Sequence, residues 1–128
     1  MTESVTIILP LPGKRLSPNH SVGSRGGRFA KAAATKKYRS LAENATRAAG
    51  ITTGPWELAR ASATFFWKDR RRRDEDNALA SLKAAYDGIV DAGLLMDDDR
   101  EHLRREMPIF EVDPAFPRVE ITVTRIES

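Results

Sequence analysis

The sequence predicts a small α+β domain, with a β-sheet of about four strands and two main helices packed on one face of it. Two patterns support this prediction. Apolar residues alternate with polar ones in several short runs, as in half-buried strands, and recur every three or four residues in two longer segments, as in amphipathic helices. The 128 residues fit one domain, residues 1–128, because a second core would need a longer chain.

The first half of the chain predicts a strand, a loop and a helix. The strand ends at Pro10, and its alternating apolar residues are Val5, Ile7 and Leu9. The glycine-rich segment from Gly13 to Phe29 follows neither period and is predicted to be a loop. Helical spacing then predicts an amphipathic helix from about Lys31 to Ala49, ended by Gly50. Its periodic residues are Ala34, Tyr38, Leu41, Ala45 and Ala48.

The middle of the chain predicts a strand followed by the second helix. Residues 59–67 alternate, with one side formed by Ala59, Ala61, Ala63, Phe65 and Trp67. The helix is predicted from about Asn77 to Ala92, with Asp76 or Asn77 as its N-cap and Gly93 as its terminator. Its apolar residues are Leu79, Leu82, Tyr86 and Ile89.

Two further strands are predicted near the end of the chain. The segment Leu103–Val112 is predicted to be an edge strand, because Pro108 has no N–H to donate to a neighbouring strand. Val119, Ile121 and Val123 then alternate with polar residues in a last strand. The predicted order of elements is therefore β-α-β-α-β-β.

Composition limits the chemistry and the location of the protein. Cysteine is absent, which excludes disulfides, thiolate metal sites and cysteine nucleophiles, so a metal ion would bind oxygen or histidine ligands. No apolar run approaches the roughly 20 residues that span a bilayer, and Met1–Pro10 has neither a basic n-region nor a sustained apolar h-region. We therefore expect a cytoplasmic protein without a membrane partner.

Charge is distributed unevenly along the chain. Residues 1–60 contain ten Lys and Arg against three Asp and Glu, a net charge of +7, whereas residues 61–128 contain eleven against fifteen, a net charge of −4. The basic half suits a polyanionic partner such as nucleic acid. The acidic half still contains Arg70–Arg73, which suggests that positively and negatively charged residues are grouped separately for different tasks.

The segment Asp69–Asn77 places four consecutive arginines beside a cluster of carboxylates, between a predicted strand and a predicted helix. Four adjacent guanidinium groups repel one another, but they fit a phosphate backbone, with which arginine forms bidentate hydrogen bonds. The alternative interpretation is a solvated basic patch. Together with the basic loop residues, the predicted DNA-binding residues are Arg70, Arg71, Arg72, Arg73, Lys14, Arg15, Arg25 and Arg28.

The carboxylates of this segment predict a Mg²⁺ site. Asp74 and Asp76 are separated by one residue, so on an extended backbone both side chains project to the same side. Mg²⁺ prefers oxygen ligands and completes its coordination with water and substrate phosphate. A third acidic source is Asp97–Asp99, if the chain doubles back along the second helix. The alternatives are an N-cap for Asp76 and a polar turn for Asp97–Asp99.

Lys83 lies seven residues after Asp76, two helical turns further on the same face, where it could reach a scissile phosphate. The alternative is a surface ion pair with Asp87, four residues later. His20 and His102 have no partner at a recognised metal-binding spacing. Trp56 and Trp67 are interpreted as packing residues.

The motif Asp-Arg-Arg-Arg-Arg-Asp-x-Asp-Asn at residues 69–77 resembles the signature of the RusA-like Holliday junction resolvases. The resemblance continues through Lys83–Asp87, Asp91–Leu95 and Asp97-Asp98, and it covers most of the chain. One departure is that the stretch from Asn77 to Lys83 is about three residues longer than in the family. Three residues are nearly one helical turn, so the lysine changes direction by only about 60°.

The resemblance implies a mixed sheet, a homodimer and a site in which Asp74, Asp76 and Asp98 hold Mg²⁺, for which Mn²⁺ can substitute. It further implies that Lys83 assists catalysis, that no organic cofactor is needed, and that the enzyme cuts four-way DNA junctions by paired symmetric nicks in recombination and repair. Such relatives are often encoded by phages or prophages. Alternatives are a less selective nuclease of branched or flap DNA, and a junction-binding protein without catalysis.

Overall fold

Five strands and two helices make up the part of the chain that the computed structural model describes, which is residues 3–13, 25–50, 54–71 and 75–127, with the side chains of 25–27 excluded. The strands are β1 (Ser4–Leu9), β2 (Ala59–Trp67), β3 (Leu103–Arg105), β4 (Ile109–Val112) and β5 (Arg118–Arg125), and the helices are α1 (Arg25–Ala48) and α2 (Glu75–Asp91). The α+β class agrees with the sequence prediction, and the order of elements differs from it only in having three strands after α2 where two were predicted.

The sheet is mixed. Its order is β1-β5-β2, and β3 and β4 both lie on the far side of β2. Strands β1 and β2 pair antiparallel with β5, whereas β3 and β4 pair parallel with β2. Parallel pairing requires a long crossover connection, and α2 with the turn after it supplies one.

The predicted edge strand Leu103–Val112 is two strands, so the sheet has five strands rather than four. Ala61 pairs with Arg105, but Thr64 pairs with Ile109, so three residues on the edge face two on β2. The extra residue interrupts the pairing, as in a β-bulge. The interruption contains Pro108, which cannot donate a backbone hydrogen bond.

One face of the sheet forms the core with both helices. The inward residues of β2 and β5 are almost completely buried, and they belong to one cluster with Tyr38 of α1 and Tyr86 of α2. These inward residues are Ala59, Ala61, Ala63, Phe65, Val119, Ile121 and Val123. The opposite face is more polar, and on it the hydroxyls of Thr6 and Thr122 lie 2.9 Å apart. The predicted alternation and the helices on one face are therefore confirmed.

Helix α1 begins earlier than the sequence predicted. It starts at Arg25 instead of about Lys31, so the predicted loop is wrong for residues 25–29, while residues 14–24 lie outside the described part. The glycines in this segment lower helix propensity but do not prevent a helix. Tyr38 is buried, and its hydroxyl donates a hydrogen bond to the Pro10 carbonyl at 2.8 Å, which fixes α1 against the end of β1.

Helix α2 buries small residues as well as the predicted large ones. Leu82, Tyr86 and Ile89 are buried as predicted, but Leu79 is 50% exposed. The buried face includes Gly88 instead, where an added Cβ would lie 2.2 Å from the Arg39 carbonyl oxygen of α1. At this position α2 lies so close to the α1 backbone that an added Cβ does not fit without a shift. Neither helix, over the described residues, has an apolar stretch long enough to cross a membrane.

Candidate metal and phosphate site

The chain turns back after α2 and returns along the start of β2. Gly93 adopts a positive φ of 89°, a conformation that glycine tolerates best. The Trp56 N–H then donates to the Leu94 carbonyl at 2.7 Å, and the Met96 N–H donates to the Trp56 carbonyl at 3.1 Å. Trp56 itself is buried, as predicted for a packing residue. These bonds fix the segment that leads directly to Asp98.

Asp98 and Lys83 are in contact. The Lys83 ammonium lies 2.7 Å from Asp98 Oδ2 and 2.9 Å from Asp87 Oδ1. The helix-surface pair with Asp87 therefore exists, but the same ammonium also reaches the aspartate of the returning chain. Asp98 is only 9% exposed and is the one charged residue among the buried residues of the described ranges.

Arg105 of β3 holds Asp98 from the other side. Its Nη2 donates to the Asp98 backbone carbonyl at 2.7 Å and to Oδ2 at 3.0 Å. The guanidinium also lies 5.1 Å above the centre of the Tyr86 ring. Arg105 thus fixes both the main chain and the side chain of Asp98, and the aromatic ring of α2 supports it.

Asp98 is ionised despite its burial. Burial raises the pKa of its carboxyl, but the hydrogen bond from Lys83 and the neighbouring polar groups outweigh burial and hold the pKa below its usual range. In turn, the hydrogen bonds to Asp98 and then Asp87 raise the pKa of Lys83. A buried, ionised carboxylate oxygen is the kind of ligand that Mg²⁺ prefers, so Asp98 fits a role in metal binding.

The Asp97–Asp99 triplet divides into three roles. Asp98 faces Lys83, whereas Asp97 is exposed and its Oδ1 accepts a hydrogen bond from the Asp98 N–H at 2.7 Å. Asp99 accepts from His102 Nδ1 at 2.6 Å, and this hydrogen bond raises the pKa of His102. Only Asp98 of the three therefore touches Lys83, and the other two shape the turn.

The other two predicted metal ligands are less fully described. Asp76 is exposed in the first turn of α2, which begins at Glu75. Asp76 and Asn77 therefore lie inside the helix, and the prediction that one of them is its N-cap is wrong. Asp74 lies outside the described residues. Among the described residues, which do not include Asp74, no three acidic, histidine or cysteine side chains are grouped so that they could hold a metal ion.

The predicted DNA-binding arginines are described in part. Arg70 and Arg71 are exposed just after β2, and the Arg71 N–H donates to Asp69 Oδ1 at 2.9 Å. Arg72, Arg73, Lys14, Arg15 and His20, together with the side chain of Arg25, lie outside the described residues. Arg28 is exposed on α1 rather than in a loop.

Arg28 belongs to a basic surface of α1 that the sequence analysis missed. It lines a concave surface with Lys31, Lys36 and Arg39. Arg39 forms a two-bonded ion pair with Asp91 of α2, at 2.5 and 2.8 Å, and it is also attracted by the charges of Asp87 and Asp98. The basic surface therefore borders the acidic face of α2. The signal in the sequence was the recurrence of Lys and Arg within the helical segment itself.

A second basic surface lies beside Asp98. A groove is lined by Asp98 together with Arg100, Arg104 and Arg105. These arginines were not predicted as functional, although they follow the Asp97–Asp99 triplet closely. Their guanidinium groups place positive charge next to the carboxylate that the sequence predicted as a metal ligand.

No protein-family model matches the chain, and no curated protein is significantly similar to it. The sequence motif and the geometry of the site are therefore the basis for proposing a function.

Proposed function

We propose that the protein is a Mg²⁺-dependent DNA endonuclease of the RusA-like type, which resolves four-way junctions. The observation that carries this proposal is the contact between Lys83 and Asp98. These residues are 15 positions apart and come from two separate parts of the motif, and their side chains meet at 2.7 Å. A solvated helix surface and an unrelated polar turn would not need to meet at a buried carboxylate.

Asp74, Asp76 and Asp98 would hold the metal ion, with Mn²⁺ as a substitute for Mg²⁺. Such an ion supplies an activated water and stabilises negative charge on a phosphate. Asp98 presents an ionised carboxylate whose direction is fixed by Arg105. Lys83 contributes a positive charge at the same place, where it can stabilise a phosphate electrostatically.

The DNA backbone would bind the arginines on both sides of these carboxylates. Arg70–Arg73 and Arg28 belong to this set from the sequence, with Lys14, Arg15 and Arg25. The structure supports adding Lys31 and Lys36 of α1 and the groove residues Arg100 and Arg104. Contacts of this kind recognise charge and shape rather than base sequence, which suits a branched substrate.

A homodimer belongs to the same proposal. A four-way junction becomes two ligatable duplexes only when two symmetric strands are cut, and a two-fold dimer supplies two equivalent sites for the two cuts. Each protomer then needs only one copy of the carboxylate set.

The test is cleavage of a labelled, immobile four-way junction with and without Mg²⁺, beside linear duplex and flap substrates. We expect paired symmetric nicks in the junction alone, dependent on metal and abolished in Asp74→Asn and Asp98→Asn. The control variant is Asp113→Asn, which breaks an ion pair with Arg118 at 2.7 Å and should cleave normally. Equal cutting of flaps would support the metal site but would contradict selectivity for four-way junctions. Binding without cutting, with either metal, would favour a non-catalytic junction-binding protein.

A further inference from the structure

Lys83 is held between two carboxylates, and only one of them has a role in the proposed function. Asp98 is the proposed metal ligand, whereas Asp87 has been assigned no role beyond a surface pair. The Asp87 side chain is only 26% exposed and accepts from the Lys83 ammonium at 2.9 Å. It lies one helical turn beyond Lys83 on α2, so its distance from the lysine is set by the helix itself.

The two positively charged side chains that contact Asp98, Arg105 and Lys83, are held in different ways. Arg105 binds the Asp98 carbonyl as well as the carboxylate and stacks on Tyr86, so it is part of the scaffold. Within the described part of the chain, Lys83 is bonded to side chains alone, and its own side chain is 57% exposed. Of the two, Lys83 can leave Asp98 without disturbing the main chain.

We propose that Lys83 is a resident counter-ion that gives up Asp98 to a divalent cation, and that Asp87 is the positioning residue that keeps Lys83 beside the site. This inference rests on the proposed function. A divalent cation on the Asp98 carboxylate would repel an ammonium that shares the same oxygen, because like charges at short range in a partly buried site interact strongly. Released from Asp98, Lys83 still has a partner in Asp87 and remains within reach of a phosphate.

The affinity for Mn²⁺ tests this exchange without a cleavage assay. Lys83→Met removes the competing charge, so calorimetry should show Mn²⁺ binding roughly tenfold tighter than in the wild type, within the range usual for coupled sites. Asp87→Asn leaves Asp98 as the remaining carboxylate partner of Lys83 among the described residues, so Mn²⁺ should bind more weakly. The control is Glu43→Gln on α1, which breaks a comparable pair with Arg47, four residues away at 2.9 Å, and should leave Mn²⁺ affinity unchanged.

The second prediction concerns catalysis. Asp87→Asn should lower kcat roughly 10- to 100-fold, as for other residues that orient a site, while junction Kd measured in Ca²⁺ stays at the wild-type value. Asp87→Glu, which retains the carboxylate, should recover part of kcat. A purely structural role would not separate kcat from binding in this way.

The outcomes distinguish failure of this inference from failure of the proposed function. If wild type binds no Mn²⁺ and cuts nothing, the proposed function is wrong and the exchange with it. If wild type binds Mn²⁺ and cleaves but Lys83→Met binds the ion no more tightly, only the exchange is wrong. Wild-type kcat in a folded Asp87→Asn variant, or no recovery in a folded Asp87→Glu variant, would overturn the role of Asp87.

Discussion

Arg105 illustrates how one side chain can stabilise both the fold and the site. It neutralises a buried carboxylate, bonds to a main-chain carbonyl and covers an aromatic ring. Removing one partner of a buried charge leaves the other insufficiently compensated, which costs more than the loss of an exposed ion pair. Its neighbour Arg104 is exposed like Arg105 but forms no ion pair with the described residues, so the two adjacent arginines provide a matched comparison.

We predict that Arg105→Ala lowers the free energy of unfolding by about 2 kcal/mol, since a hydrogen bond to a charged group and a cation–π contact are both lost. Arg104→Ala should change it by less than about 0.5 kcal/mol, as is usual for exposed residues. Urea unfolding followed by circular dichroism measures both. Equal effects of the two substitutions would contradict the assigned role of Arg105.

At this scale, the sequence predicted the candidate site residues Asp98 and Lys83, which the structure brings into contact, but not the side chain that holds Asp98 in place. Asp98 and Lys83 could be named because the motif contains them. Arg105 could not, because its partners are a carbonyl and a ring that come near it only after the chain has turned at Gly93. Similarly, Asp97 and Asp98 have the same side chain and differ only in burial, which depends on how the chain folds back after α2.

At the scale of elements, Gly88 marks a close approach of α2 to the backbone of α1. Alanine at residue 88 would place Cβ 2.2 Å from the Arg39 carbonyl oxygen and 2.9 Å from the Ala42 Cβ. Backbone cannot rotate away as a side chain can, so the helices would have to separate.

We therefore predict that Gly88→Ala lowers the free energy of unfolding by about 2 kcal/mol, because overpacking outweighs the roughly 1 kcal/mol gained in helix propensity. Gly13→Ala is the control, because an added Cβ there meets nothing within 4 Å. Thermal unfolding of both variants tests this. A stabilised Gly88→Ala variant would show that the helices are less closely packed than described.

The ion pair between Arg39 and Asp91 also joins the two helices, and it makes their contact dependent on pH. The hydrogen bond from Arg39 lowers the pKa of Asp91 below 3.8, so the folded state binds this proton less readily than the unfolded chain. The contribution of this ion pair to the free energy of unfolding is therefore present above pH 3.8, and it is lost as the pH falls through the lowered pKa of Asp91.

We expect Asp91→Asn to cost about 1 kcal/mol or less at neutral pH, as for a partly exposed pair. The difference from wild type should shrink below pH 3.8, as measured by urea unfolding between pH 7 and pH 2.5. Glu57→Gln, at an exposed residue, controls for general effects of charge. A difference that widened towards acid would contradict the assigned pairing.

The elements themselves were largely predictable, and the errors have local causes. Alternation identified β1, β2 and β5 because each has one buried and one more exposed face. The division of the last edge into β3 and β4 was not predictable, since it depends on which residues of β2 each half meets. Leu79 belongs to the periodic apolar residues of α2 but is exposed, because helical spacing alone does not tell which of two neighbouring stripes faces the core.

At the scale of the whole molecule, the excess of positive charge in residues 1–60 is concentrated partly on the outside of α1. Lys31 and Lys36 line the concave surface that borders the acidic face of α2. Each contact to a DNA phosphate releases counterions, so affinity should fall steeply as salt is added.

We predict that Lys31→Ala and Lys36→Ala each weaken binding to every branched substrate alike and reduce the slope of log K against log salt by about 1. Arg47→Ala, on the same helix but paired with Glu43, should leave the slope unchanged. Fluorescence anisotropy in Ca²⁺ at several salt concentrations measures the slope. A slope unaffected by either lysine would exclude this surface from the DNA interface.

The pairing of β1 with β5 joins residues as far apart as 120 positions, whereas Lys83 and Asp98 are 15 apart. Because the entropy lost on closing a loop grows with the logarithm of its length, the longer closure costs about 2 kcal/mol more. The contact between Lys83 and Asp98 can therefore form early in folding, before the outermost strand docks. A fluctuation that detaches β1 from the sheet need not by itself separate these two residues, since Asp98 is held by Arg105 of β3 on the other side of β2.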